Sequence, residues 1–256
     1  MIHPLFDLTG KCALVTGGSK GLGKAMARGF AEAGADVFIS SRHEDELRAA
    51  AAEIGAGLNV RVEWSVADMI ERAQVRALAE EAVRRLGKID ILVNNAGSNQ
   101  PQAIDEITDE AWDRIVELDL TSCMALTRAL VPGMKERQWG RIIHISSVLG
   151  VGSKEKRNVY SACKAGLIGL AKASAIDLGT YNITVNCLCP GPFLTDLPGS
   201  LLSPAEKQAF SDRTALKRWG QPRELAGPAL LLASEAGSYI TGEALLVDGG
   251  AFARAL

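Results

Sequence analysis

The feature that most constrains this chain is an apolar run at 11–15 (KCALV), followed by the turn TGGSKGLG at 16–23 and an amphipathic stretch at 25–34. Strand, glycine turn and helix in immediate succession commit the chain to a crossover connection. The strands it builds are therefore parallel and covered on both faces. The alternation repeats to the end of the chain. Strands are predicted over 36–40, 61–64, 89–93, 141–146, 184–188 and 244–247, and helices over 44–54, 69–86, 109–138, 159–178 and 222–233. Pro132 is expected to end or kink the long helix at 109–138. The fold class expected is α/β: a single domain over 1–256 with a doubly wound parallel sheet flanked by helices on both faces. Residues 190–220 are irregular apart from a short helical piece at 204–212, and they read as a substrate lid.

Composition excludes several function classes. A net charge of −2, without a basic tail or an acidic block, points away from nucleic acid and anionic membranes. No apolar run approaches the roughly 20 residues a membrane span needs. Pro4 and Asp7 stand where a secretory leader needs its apolar segment, so a cytoplasmic address is expected. Cys12, Cys123, Cys163, Cys187 and Cys189 are scattered, with no Cys-x-x-Cys pair, and read as buried free thiols. Cys163 lies among the candidate catalytic residues, so its oxidation is expected to inhibit. His3, His43 and His144 have no ligand spacing, and no metal site is expected.

The chemistry concentrates in two stretches. In the first turn, Gly17, Gly21 and Gly23 remove side chains where backbone must approach a diphosphate, and the following helix N-terminus offers free N–H groups. Ser41 and Arg42 end the second strand, where a carboxylate would select NAD; with Lys20 nearby they favour NADP. Glu44 and Asp45 lie close by and weigh against that preference. Asp68 suits an adenine amino group, or a cap on a helix starting at Met69. In the second stretch, Tyr160 and Lys164 are four residues apart on a predicted helix and so share a face. Free tyrosine ionises near pH 10, and an adjacent ammonium stabilises the phenolate, which suits acid–base catalysis. Ser147, arriving from a strand end, offers a hydrogen bond to the reacting oxygen.

Taken in order, Thr16-Gly17-x-x-x-Gly21-x-Gly23, Asn94-Asn95-Ala96-Gly97, Ser147, Tyr160-x-x-x-Lys164 and Pro190-Gly191 resemble the short-chain dehydrogenase/reductase family over nearly the whole chain. The resemblance implies a Rossmann-type fold and hydride transfer between a nicotinamide and a carbonyl or alcohol carbon. It implies Tyr160 as the acid–base residue, Lys164 as its helper and ribose ligand, and Ser147, with Ser146 as the fallback, as the residue orienting substrate oxygen. Ser19, Leu22, Met69, Asn95, Ala96, Gly97, Pro190, Gly191, Phe193 and Thr195 join the residues above in holding the cofactor, expected to be NADP rather than NAD. The chain departs from the family at Asp119, where members usually carry an asparagine that helps hold a helix distortion whose backbone carbonyl binds a water linked to the lysine; aspartate there is expected to keep that relay, and its carboxylate to raise the Lys164 pKa and alter the pH optimum.

The mouth is polar: Ser98, Asn99, Gln100 and Gln102 on one side, and Lys154, Lys156 and Arg157 on the other. Asn99, Lys154 and Arg157 are the expected substrate contacts, and the substrate expected is polar or anionic, a sugar acid or polyol. Within the family the chain is similar in look to gluconate 5-dehydrogenase-like members and, as the alternative, to 3-oxoacyl-acyl-carrier-protein reductases. Against the alternative, Lys135 and Arg137 supply cations on one helix, but Ile176 stands in the corresponding region of the tyrosine helix. A non-catalytic nucleotide-sensing module is the reading from another class, disfavoured because Tyr160 and Lys164 are both present. Only about 65 residues follow Gly191, which argues against an extended nucleotide-sugar epimerase. Family members usually assemble as homotetramers, and the same is expected here.

Overall fold

In the computed structural model, residues 3–195 and 203–253 are described. The strands are β1 (Cys12–Thr16), β2 (Asp36–Ser41), β3 (Val62–Val66), β4 (Ile91–Asn94), β5 (Gly140–Ile145), β6 (Ile183–Pro190) and β7 (Ala244–Val247). They form one seven-stranded sheet in the order β3-β2-β1-β4-β5-β6-β7, and every pairing is parallel. The chain moves outward from β1 to β3, then returns to lay β4 on the other side of β1. That reversal leaves a crevice above the carboxyl ends of β1 and β4, the usual ligand position in open α/β sheets.

Alternation along the strands explains the two layers of helices. Ala13 and Val15 of β1 face α1 (Gly21–Glu32) and α2 (Glu44–Gly55), where Met26, Phe30, Leu47 and Ile54 are buried. Cys12 and Leu14 face the opposite core, shared with α3 (Arg72–Leu86), α5 (Ser122–Glu136) and α7 (Asn158–Leu178). The helix α9 (Arg223–Ala233) completes the first layer through Leu225, Ala229 and Leu232. Each large apolar side chain buried this way contributes roughly 2–3 kcal/mol. On α7, Val159, Cys163, Leu167, Ala171, Ala175 and Leu178 recur every three or four residues and form the buried stripe that seats the helix.

Three expectations need correction. The helix expected from residue 69 begins at Arg72, and Asp68 does not cap it: the Asp68 carboxylate accepts the Ile70 N–H at 3.1 Å within a preceding turn. Met69 is buried in the sheet core. The stretch 109–138 is not one α-helix broken at Pro132. It is α4 (Asp109–Val116), a π-helical turn over Glu117–Thr121, then α5, which runs through Pro132 to Glu136. Of the lid, α8 (Pro204–Arg213) is described, while residues 196–202 lie outside the described residues. Among the described residues, no helix is long and apolar enough to cross a membrane.

Candidate active site

The glycine turn caps β1 and leads into α1. Gly17 has φ +64°, a conformation that disfavours a side chain. A Cβ on Gly23 would lie 2.2 Å from the Gly17 carbonyl oxygen and 2.6 Å from Asn95 Nδ2, so both positions are held open for close backbone approach. The turn is tied to β4: Asn95 Nδ2 donates to the Thr16 and Gly17 carbonyls at 2.8 and 3.2 Å, and Thr16 Oγ1 accepts from the Asn95 and Ala96 amides at 3.0 Å each. No side chain caps the first turn of α1. A bare cradle beside an uncapped helix N-terminus fits a dinucleotide diphosphate. Leu22 packs partly into the core beneath the cradle, and Thr195 closes it from the far side, 3.3 Å from where a Gly21 Cβ would stand.

The end of β2, where the sequence places the adenosine, also carries a carboxylate from α2. Glu46 on α2 accepts from Lys20 Nζ at 3.1 Å and from Ser19 Oγ at 3.2 Å. Lys20, expected to meet a 2′-phosphate, is thus paired with a carboxylate, while Arg42 stands exposed beside a half-buried Ser41 at the end of β2. Only the packing of α2 against the turn brings Glu46 there, and no local pattern announces it.

The residues expected to react lie at the end of β5 and on α7. Ser146 Oγ donates to the Lys164 carbonyl at 2.7 Å, pinning α7 to the end of β5. That contact removes Ser146 from the crevice chemistry. Ser147 caps the short α6 (Val148–Val151), its Oγ accepting the Leu149 N–H at 3.1 Å, so its own proton stays available to a partner. Lys164 is 4% exposed and its Nζ stands 5.3 Å from the Tyr160 ring centroid. The ammonium donates to the Ile145 carbonyl at 3.0 Å and pairs with Asp119 Oδ2 at 3.2 Å, and the other Asp119 oxygen accepts the Ser98 N–H at 2.9 Å. Asp119, in the π-helical turn, is fully buried. Burial raises its carboxyl above the usual range, opposed by Lys164 and Ser98. Burial alone would pull Lys164 down, but the Asp119 carboxylate and the Tyr160 phenol outweigh it and hold the ammonium above its ordinary value. At neutral pH the two form an ion pair.

Beneath them, His144 is kept neutral, its pKa pushed down to about 4 by burial and then by the Lys164 charge. Asn94 donates to His144 Nδ1 at 3.1 Å and to Thr127 Oγ1 at 3.2 Å. Cys163, expected to be sensitive to oxidation, is 1% exposed; burial pushes its thiol up to about 11 and the side chain faces the Ile115 carbonyl. A protonated, enclosed thiol is a poor nucleophile, which removes the reason for that expectation. All five cysteines are free, and among the described residues no cluster of His, Cys, Asp and Glu suits a metal.

The polar residues expected at the entrance have the following surroundings. Asn99 Oδ1, Gln102 Oε1 and Arg157 Nη1 are buried atoms without a protein partner, and Gln102 pairs with Arg157 in an isolated bridge. Lys154 is turned to α8, its Nζ 4.9 Å above the Phe210 ring, which itself packs edge-on against Trp219 at 5.3 Å. Gly191 lies against β7, where a Cβ would fall 2.7 Å from Asp248 Cα, and the buried Phe193 bridges Gly220.

A glycine cradle at the β1–β4 crevice, with a buried lysine and a tyrosine one turn apart beside it, defines a dinucleotide-dependent oxidoreductase of the Rossmann class. Residues 17–251 match a family model described as enoyl-(acyl carrier protein) reductase. Nodulation protein G of Rhizobium sp. (strain N33) is 39% identical over 96% of this chain and 98% of its own length. A 3-oxoacyl-[acyl-carrier-protein] reductase of Chlamydia muridarum is 36% identical over 95% and 98%. Among solved structures, a gluconate 5-dehydrogenase from Burkholderia cenocepacia J2315, in complex with NADP and tartrate, is 35% identical, with a TM-score of 0.92 over 98% of this chain and 99% of that one. The chain belongs to the short-chain dehydrogenase/reductase family, oxidoreductases that act on CH–OH groups with a nicotinamide nucleotide.

Proposed function

We propose that this chain interconverts a secondary alcohol and a ketone on a sugar acid or polyol, with NADP as its preferred cofactor. The substrate class is supported by the polar set expected around the mouth, where Asn99 Oδ1, Gln102 Oε1 and Arg157 Nη1 are left without a protein partner. The oxygens accept from hydroxyls, and the guanidinium suits a carboxylate in a charge-assisted pair. The tartrate bound to the gluconate 5-dehydrogenase neighbour is a hydroxylated dianion of this type. In the reaction, Ser147 donates its free O–H to the substrate oxygen, Tyr160 gives or takes the proton on that oxygen, and Lys164 supports the phenolate. The dinucleotide, when bound along Gly17–Gly23, Asn95–Gly97 and Thr195, supplies or accepts the hydride. Arg42 and Lys20 favour a 2′-phosphate, with Glu46 weighing against it.

A second reading, 3-oxoacyl-acyl-carrier-protein reductase, is favoured by the Chlamydia muridarum relative. It ranks lower because its docking cations are engaged within the chain. Lys135 lies 4.4 Å over the Tyr181 ring and Arg137 bonds Asp90 and the Ile89 carbonyl, while Ile176 is 82% exposed on α7. That exposed face and β7 support a homotetramer through α7, the long helix and the last strand. The deciding assay compares gluconate, ketogluconates and acetoacetyl thioesters. Arg157→Ala is expected to raise KM for the sugar acids about 10–100-fold, the loss of one charge-assisted hydrogen bond, with kcat nearly unchanged. Activity confined to the thioesters, or an Arg157→Ala variant with unaltered KM, contradicts the substrate proposal.

A further inference from the structure

We propose that Asp119 is a positioning residue that sets the pH range of turnover, because its ion pair with Lys164 cancels part of the ammonium's field before it reaches Tyr160. This rests on reading Tyr160 as the acid–base group. The pair is built into the fold. The π-helical turn swings Asp119 inward to full burial, the Ser98 N–H fixes one carboxylate oxygen at 2.9 Å, and the other meets Lys164 Nζ at 3.2 Å. Gly97 leaves room for the contact: a Cβ there would lie 3.1 Å from Asp119 Oδ2 and 3.2 Å from Lys164 Nζ. The ammonium donates to the Ile145 carbonyl at 3.0 Å. Other titratable groups face the pair from three elements. His144 of β5 is neutral, and Cys123 of α5 and Cys163 of α7 remain thiols, so among the described residues around Lys164 the opposing charge comes from Asp119. An isolated ammonium stabilises a neighbouring phenolate; a closed ion pair acts as a dipole and does so less.

Asp119→Asn keeps the shape and an oxygen for the Ser98 N–H while removing the charge. The ammonium's field on the phenol is then unopposed, and proton loss from Tyr160 comes at lower pH. Two readouts test this. One is the rising limb of kcat/KM against pH for alcohol oxidation. The other needs no substrate: the near-ultraviolet absorbance of ionised Tyr160, isolated by subtracting the matching Tyr160→Phe variant. Both are expected to move about one pH unit to the acid side in Asp119→Asn. Asp119→Ser, neutral and smaller, is the second variant and is expected to move the same way. A folded neutral variant whose phenolate signal titrates together with wild type overturns the proposal. So does failure of both neutral variants to fold, since the pair then serves folding alone. A shifted absorbance titration in an enzyme without alcohol or ketone turnover upholds the ion-pair effect and removes the functional reading instead.

Discussion

His144 shows what a single buried group contributes on both sides of the folding equilibrium. Its folded pKa of about 4 lies below the ordinary value near 6.5, so the unfolded chain binds a proton that the folded one refuses. Stability is therefore full above pH 6.5 and falls as the pH drops from 6.5 to 4, by roughly 3 kcal/mol for this group. Chemical denaturation across that window is expected to show the slope, and His144→Gln to flatten it; an unchanged slope contradicts the assignment. At this scale the sequence was informative about identity and poor about partners. The shared face of Tyr160 and Lys164 was legible from their spacing, because four positions on a helix fix it. The preference for Ser147 over Ser146 comes from the resemblance, and the structure adds that Ser146 Oγ is bonded to the Lys164 carbonyl. The ion pair of Asp119 with Lys164 depends on a turn that brings together residues 45 apart in the chain.

Between elements, the contact of α2 with the glycine turn has a measurable consequence. Glu46 holds Lys20 and Ser19 from across the turn and places a negative charge where a 2′-phosphate would be recognised. Glu46→Gln is expected to tighten NADPH binding several-fold in a fluorescence titration while leaving NADH binding nearly unaltered, since only NADPH carries the extra phosphate. Equal effects on both dinucleotides contradict it. Strands and helices could be read to within a few residues because short continuous apolar runs mark strands buried on both faces and a 3.6-residue apolar period marks the helices. The π-helical turn at Glu117–Thr121 was not legible in the apolar periodicity, although the family resemblance implied a helix distortion at Asp119. Pro132 misled for a related reason: its ring is accommodated within α5, and the helical distortion lies upstream, at the turn carrying Asp119.

For the whole molecule, the parallel sheet with its reversal between β1 and β4 dictates where chemistry takes place. The glycine cradle, the Asn94–Gly97 segment and Ser147 all follow strand carboxyl ends, and α7 brings Tyr160 and Lys164 alongside them. This arrangement was legible from strand–helix alternation alone. The substrate was not, and the reading proposed for it rests on polar atoms left without partners once the loops have packed. The most direct measurement of the central claim is turnover by Tyr160→Phe, with dinucleotide binding titrated on the same preparation. Removing the hydroxyl is expected to lower kcat by about 10²–10⁴-fold while the dinucleotide still binds. A variant that binds the cofactor and turns over at the wild-type rate would show that this phenol does not move the proton.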